Sequence, residues 1–204
     1  MNNKEHWNKI YKNKSPLEVS WYQHRPSISL AIIDNLPVQK DEYIIDIGGG
    51  ASALVDNLLQ DGFNNVTVLD LSSRALNHAK ERLGEKSRLV SWVAEDVTNF
   101  SPTIKYSIWH DRAVFHFLIS SDARQKYHNC LNSSVKIGGY VIIAAFSIGG
   151  PTMCSGLDFV QYDSEKIRNE LGSNYELVDE MSETHITPDG KEQLFGYFVF
   201  NKIA

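Results

Sequence analysis

Short apolar runs alternate along this chain with segments whose apolar residues recur at helical spacing. Tyr43–Ile47 is a brief apolar run that carries Asp46 and leads into Gly48-Gly49-Gly50. Ser52–Asp61 reads as a helix, because Leu54, Val55, Leu58 and Leu59 share one face and Gly62 stops it. Val66–Leu71 is the next strand, Ser73–Leu83 the next helix with Ser72 or Ser73 as cap and Gly84 as stop, and Leu89–Ala94 a third strand. Tyr106–His110 is a fourth strand. The helix Asp122–Val135, a Gly138-Gly139 turn and the strand Tyr140–Phe146 come next. Asp163–Leu171 is a last helix ending at Gly172.

The tail breaks the rhythm. Tyr175–His185 and Leu194–Asn201 are strand-like, and only the turn-rich ITPDGKEQ lies between them. No helix fits there, so the two runs should form a hairpin. Up to Phe146 the β-α alternation implies a parallel sheet with helices on both faces, to which the hairpin adds an antiparallel strand. The region before Tyr43 is mainly helical, with Ser27–Leu36 clearest after Pro26.

Composition narrows the class. The 204 residues fit one domain, and 42% hydrophobic with 22% charged residues describe a soluble globular chain. A net charge of -5 without a Lys/Arg cluster argues against a general nucleic-acid binder. The polar start lacks the apolar stretch of a secretory signal, and Tyr140–Phe146 is too short to cross a bilayer. Cys130 and Cys154 match no metal-ligand spacing, so no metal is expected, and a reduced cytoplasmic setting fits. No heptad or broad apolar stripe fixes an oligomeric state.

The chemistry gathers at strand ends, where open α/β sheets bind nucleotides. Gly48, Gly49 and Gly50 allow close backbone approach to a ligand. Asp70 ends the second strand, 20 residues after Gly50, where a carboxylate accepts from both ribose hydroxyls. Glu95-Asp96 ends the third strand, near an adenine amino group. The turn also fits G-x-G-x-x-G/A, so an NAD(P)-dependent oxidoreductase competes. Asp46, just before the turn, has the wrong sign for a pyrophosphate and suits a cofactor with a cationic amino acid portion.

On these residues the chain resembles the class I S-adenosylmethionine (SAM)-dependent methyltransferases, over almost its whole length. IIDIGGGAS is similar to the family's first motif, although Ser52 stands where a third glycine is common. YSIWHDRAVFHFL and GGYVIIAAF resemble its fourth- and fifth-strand segments. The resemblance implies a three-layer Rossmann-like α/β fold with a seven-stranded sheet, order 3-2-1-4-5-7-6, strand 7 antiparallel. It implies SAM as cofactor and S-adenosylhomocysteine (SAH) as product. Asp70 would hold the ribose, Leu71 and Val97 would pack near the adenine, and Asp96 would meet its amino group. The closest flavour is the small type-11/12-like domain. Some relatives of that layout methylate protein lysines and others small molecules. Residues 1–36 would then form a helical lid, with Trp7, Tyr11 and the segment Trp21, Tyr22, Gln23 over the methionine end of SAM.

Methyl transfer needs alignment and water exclusion more than a base. His110 and Asp111, ending the fourth strand, are the candidate base or acceptor-orienting pair, with His110 also near the cofactor; Asp111-Arg112 also reads as a structural ion pair. Tyr22, His116, Cys154 and His185 are candidates for the acceptor pocket. The aromatic and histidine content favours a compact small-molecule acceptor over a protein side chain. A SAM-binding protein without catalysis is the remaining alternative.

Overall fold

The computed structural model describes residues 3–150 and 155–204. Seven strands form one sheet: β1 Ile44–Ile47, β2 Val66–Asp70, β3 Val90–Ala94, β4 Tyr106–Arg112, β5 Val135–Phe146, β6 Tyr175–Ile186 and β7 Glu192–Lys202. Their order is β3-β2-β1-β4-β5-β7-β6, with β7 antiparallel to both neighbours. β1 and β2 are buried along their whole length, as central parallel strands covered on both faces must be. The tail hairpin turns at Thr187, whose N–H donates to Lys191 O (2.9 Å).

Among the described residues six α-helices accompany the sheet: α1 Asn3–Asn13, α2 Ser27–Asn35, α3 Leu54–Gln60, α4 Ser73–Leu83, α5 Ser121–Ser134 and α6 Ser164–Leu171. The caps read from the sequence are in place. Ser72 Oγ accepts from Ala75 N at the start of α4, and Gly84 and Gly172 end α4 and α6; Asp163, expected inside α6, is instead its cap. One core joins Leu30, Ile33, Leu54 and Leu58 from α2 and α3 to one sheet face. The other joins Tyr127, Leu131 and Ile167 from α5 and α6 to the opposite face.

Two local expectations are corrected. The helix expected from Ser52 starts at Leu54, because Ser52 Oγ accepts from Leu54 N (3.1 Å) and holds the preceding residues in the turn. Gly138-Gly139 is not a turn but part of β5. The register with β4 jumps there from Tyr106↔Val135 to Ile108↔Tyr140, a bulge, and a Cβ on Gly139 would lie 2.9 Å from Lys136 O.

The N-terminal segment folds back over the strand ends. Tyr11 and Val19 pack on Ala51 and Ala75. Ser72 Oγ donates to Asn8 Oδ1 (2.7 Å), and His78 Nε2 lies 3.3 Å from Tyr11 O. Among the described residues no helix is long and apolar enough to cross a membrane.

Candidate active site

The glycine turn leaves β1 at the edge of the cavity that these strand ends enclose. Gly48 has φ +68, a conformation that side chains rarely adopt. Gly49 and Gly50 matter for what lies beneath them. A Cβ on Gly49 would collide with Asp46 Oδ2, and one on Gly50 with Asp70 Oδ2. The turn is therefore laid directly over two carboxylates.

Asp46 is buried. Its Oδ1 is 2.7 Å from His110 Nδ1, across the in-register pair of β1 and β4, while Oδ2 has no partner. Asp70 accepts from Ser72 N (2.7 Å) and from the Gly50 N–H. Burial pushes its carboxyl up to about 7, and the nearby Asp46 charge adds to the rise. Asp96 Oδ1 accepts from Thr98 N (2.9 Å) and Thr98 Oγ1 (2.7 Å), which fixes its direction at the end of β3.

One cavity spans these strand ends. On the β2–β3 side it is lined by Asp70, Leu71, Glu95, Asp96 and Val97. Gly48 and Ile47 also line it. On the β4–β5–β7 side it is lined by Arg112, Phe117, Phe146 and Phe195, and the N-terminal segment adds Trp7, Tyr11 and Trp21. A smaller cavity also touches Gly48 and is lined by Trp21, Tyr22, Gln23, Ser29, His110 and Arg112.

These donors and acceptors suit an adenosyl group with a cationic tail. Asp70 offers acceptors for two hydroxyls, and Leu71 and Val97 offer apolar surface for a base. Asp46 Oδ2 is buried beneath Gly49 without a partner and lines neither cavity, so its negative charge acts on a cationic tail through the turn rather than by contact. A pyrophosphate laid on the same turn would face Asp46 and Asp70 together, which disfavours a dinucleotide.

The comparisons agree with this geometry. Residues 45–141 match the family model described as "Methyltransferase domain". Over that stretch the chain is similar to methyltransferases, in keeping with the class I SAM-dependent resemblance of its motifs. Malonyl-[acyl-carrier protein] O-methyltransferase 1 of Ilyobacter polytropus is 27% identical over 131 residues, 61% of this chain. The chain spans about half the length of that relative or less: 47% of it and 39% of its paralogue. Human EEF1A lysine methyltransferase 2 is 22% identical over 194 residues, covering 87% of this chain and 76% of that protein. Among solved structures, the N-methyltransferase NodS of Bradyrhizobium japonicum in complex with SAH superposes with TM-score 0.73 at 16% identity. The match covers 98% of this chain and 99% of that one. The strand order expected of this methyltransferase fold is the one observed.

Several expected site residues sit away from the larger cavity. His110 does not face the larger cavity. It is 2% exposed, held between Asp46 and Ser29 Oγ (2.9 Å from Nε2), and neither ring nitrogen is free to act as a base. Asp111 is corrected outright. It points to the other sheet face, where it accepts from Tyr127 OH (2.7 Å), Val114 N (2.9 Å) and Phe115 N (3.2 Å). It therefore braces the turn after β4, and burial raises its carboxyl to about 6. Nor does it pair with Arg112, whose carboxylate neighbour is Glu183 at 3.6 Å. His116 lies behind the cavity wall, stacked on Phe146 at 4.7 Å. His185 binds Ser20 O (2.7 Å) and tethers the N-terminal segment to the hairpin rather than reaching the cavity. Cys154 lies outside the described residues.

Arg112 is the residue the sequence left unmarked as functional. It lines both cavities, donating from Nε to Tyr197 OH (3.0 Å) and from Nη1 to Trp21 O (3.1 Å). Gln23 donates to Glu183 Oε1 (2.7 Å), so the Trp21–Gln23 segment is tied to β6 and β4 together.

Proposed function

We propose that this chain transfers the methyl group of SAM to a small-molecule acceptor and releases SAH. One observation carries the reading: a single cavity runs from the acidic ends of β2 and β3, past Gly48, to an aromatic compartment beside Arg112. Two ligands can thus meet end to end over the glycine turn.

In this reading Asp70 accepts from the ribose hydroxyls and Asp96 meets the adenine amino group. Leu71 and Val97 flank the adenine, and Gly48, Gly49 and Gly50 let the backbone approach. Asp46, beneath the turn, adds negative potential behind the cofactor's ammonium, and its bond to His110 fixes its orientation. Residues 1–36 act as the lid, with Trp21, Tyr22 and Gln23 closing over the methionine end. SAM, when bound, supplies a methyl group already activated on a sulfonium. The chain aligns the acceptor with it and excludes water. A cytoplasmic site of action belongs to the same proposal.

The O-methyltransferase relative is named for a malonyl group on an acyl-carrier protein, which supports a compact acceptor group over a lysine in a folded protein. The human lysine methyltransferase covers more of the chain and keeps a protein lysine as the second reading. Calorimetry with SAM, SAH, NAD and NADP tests the cofactor: SAM and SAH should bind, and binding of NAD alone would end the proposal. Asp70→Ala should weaken SAH by at least about tenfold. Labelled SAM incubated with cell extract should mark the small-molecule fraction. Label in a protein band would favour the second reading, and no label in either a binder without catalysis.

A further inference from the structure

We infer that Glu183 is a positioning residue: it latches the Trp21–Gln23 segment over the methionine end of the cofactor without itself touching a ligand. The inference rests on the methyltransferase reading and gives the lid of that reading its latch.

β6 is the outermost strand, and its acidic residues Glu176, Asp179 and Glu180 face solvent. Glu183 does not. Its side chain is 14% exposed, yet it lines neither cavity. The β6–β7 register sets it opposite Phe195, on the strand face that it shares with His185. A carboxylate withdrawn from water is costly unless its oxygens are paired. Three elements supply the partners. Tyr197 OH of β7 donates to Oε2 (2.8 Å), and Arg112 Nη2 of β4 lies 3.6 Å from the same oxygen. Oε1 is left for the N-terminal segment, where Gln23 Nε2 donates to it (2.7 Å).

That segment depends on such ties. Residues 19–25 form neither helix nor strand, so their backbone groups must find partners elsewhere. Ser20 O accepts from His185 Nε2 (2.7 Å), and Trp21 O accepts from Arg112 Nη1 (3.1 Å). With Gln23, three of four successive residues are thus held by Glu183, by its ion-pair partner Arg112, or by its strand neighbour His185. What they position is Trp21. Its ring lines both cavities, donates from Nε1 to Tyr11 OH (3.3 Å) and meets Trp7 edge-on at 5.5 Å. A shift of this short stretch therefore moves the wall that the two cavities share.

The latch also has a direction. Arg112 and Tyr197 belong to the sheet and stay beside Glu183 whether the segment is closed or open. Only Gln23 leaves. Opening then strands Oε1 in a half-buried place, which costs more than the net worth of one hydrogen bond. Closure is favoured, and a ligand that reaches under Trp21–Gln23 gains from it. A ligand that stops at the ribose gains nothing.

The test is calorimetry near pH 8 with SAH and with 5′-methylthioadenosine, which keeps the adenosyl end and lacks the amino acid end. Gln23→Glu sets a second carboxylate against Glu183. SAH should weaken about tenfold or more, while methylthioadenosine stays within about twofold. Adding Glu183→Gln to that variant restores one amide facing one carboxylate, in exchanged places, and should return SAH to within about threefold of the unaltered chain. The exchange separates positioning from contact, because a Gln23 that bound SAH directly would not be rescued by a change on β6. The second probe separates it from a loss of stability, which would weaken both ligands alike. Unchanged SAH affinity in Gln23→Glu, equal weakening of both probes, or no recovery in the double variant would overturn the inference while SAH still binds the unaltered chain. Failure of the unaltered chain to bind SAH would overturn the methyltransferase reading and this inference with it.

Discussion

Lowering the pH from about 8 to about 6 should change cofactor binding through the single carboxylate of Asp70. Its carboxyl sits at about 7 in the folded chain against 3.8 when exposed, mainly because burial penalises the charge. At about 1.4 kcal/mol per pH unit, the interval from 3.8 to about 7 corresponds to about 4 kcal/mol. The sign follows from proton counts. Below 3.8 both folded and unfolded chains hold the proton. Between 3.8 and about 7 only the folded chain does. The contribution to stability is therefore full in acid and lost as pH rises through about 7, so the ligand-free chain carries a strained carboxylate at pH 8. Ribose hydroxyls donate to the ionised form and should pull the carboxyl down again. SAH binding near pH 6 should then release about one proton, and binding near pH 8 almost none. Calorimetry in buffers of different ionisation heat counts that proton directly. Asp70→Asn should abolish the release and stabilise the ligand-free chain near pH 8, less the bond it loses from Ser72 or Gly50, while weakening SAH. An SAH affinity and proton count that stay flat across this range would refute the reasoning.

Other substitutions separate binding from bracing. His110→Phe leaves the Asp46 carboxylate buried without its partner and should cost about 3–5 kcal/mol in urea unfolding. His110→Asn keeps a donor toward Asp46 and should cost clearly less. Gly50→Ala drives a methyl into Asp70 and to 2.6 Å from Ala75 Cβ. It should destabilise by about 1–3 kcal/mol and weaken SAH in the same titration. Asp111→Asn should cost about 1–3 kcal/mol of stability but leave the SAH dissociation constant within about twofold. A large change in that constant would return Asp111 to the site.

How much of this was legible depended on whether the signal was local. Strands and helix stops follow from short runs and single cap residues, so the α4 boundaries Ser73 and Leu83 were readable to the residue. The hairpin was readable because ITPDGKEQ leaves no room for a helix. Strand β4 was misread at its end for want of one local rule. Side chains alternate along a strand, so Trp109 and Asp111 share the face covered by α5, while Ile108, His110 and Arg112 share the other. Which face carries the cavity is set by packing of distant segments. Gln23 meets Glu183 across 160 positions, and Phe146 meets Phe195 by the β5–β7 register. Those pairings have no local signature, and so Arg112 passed for half of a local ion pair.

The same sheet order explains why the cavity has two electrical ends. β2 and β3 lie on one side of β1, and their last residues bring Asp70 and the Glu95-Asp96 pair. β4, β5 and β7 lie on the other and bring Arg112, Phe146 and Phe195. A sulfonium held over Gly48 would have the carboxylates on one side of it and, on the other, a guanidinium whose charge Glu183 Oε2 offsets at 3.6 Å. The fold's strand order, rather than any single catalytic side chain, therefore places the cation at the acidic end and the aromatic wall at the other.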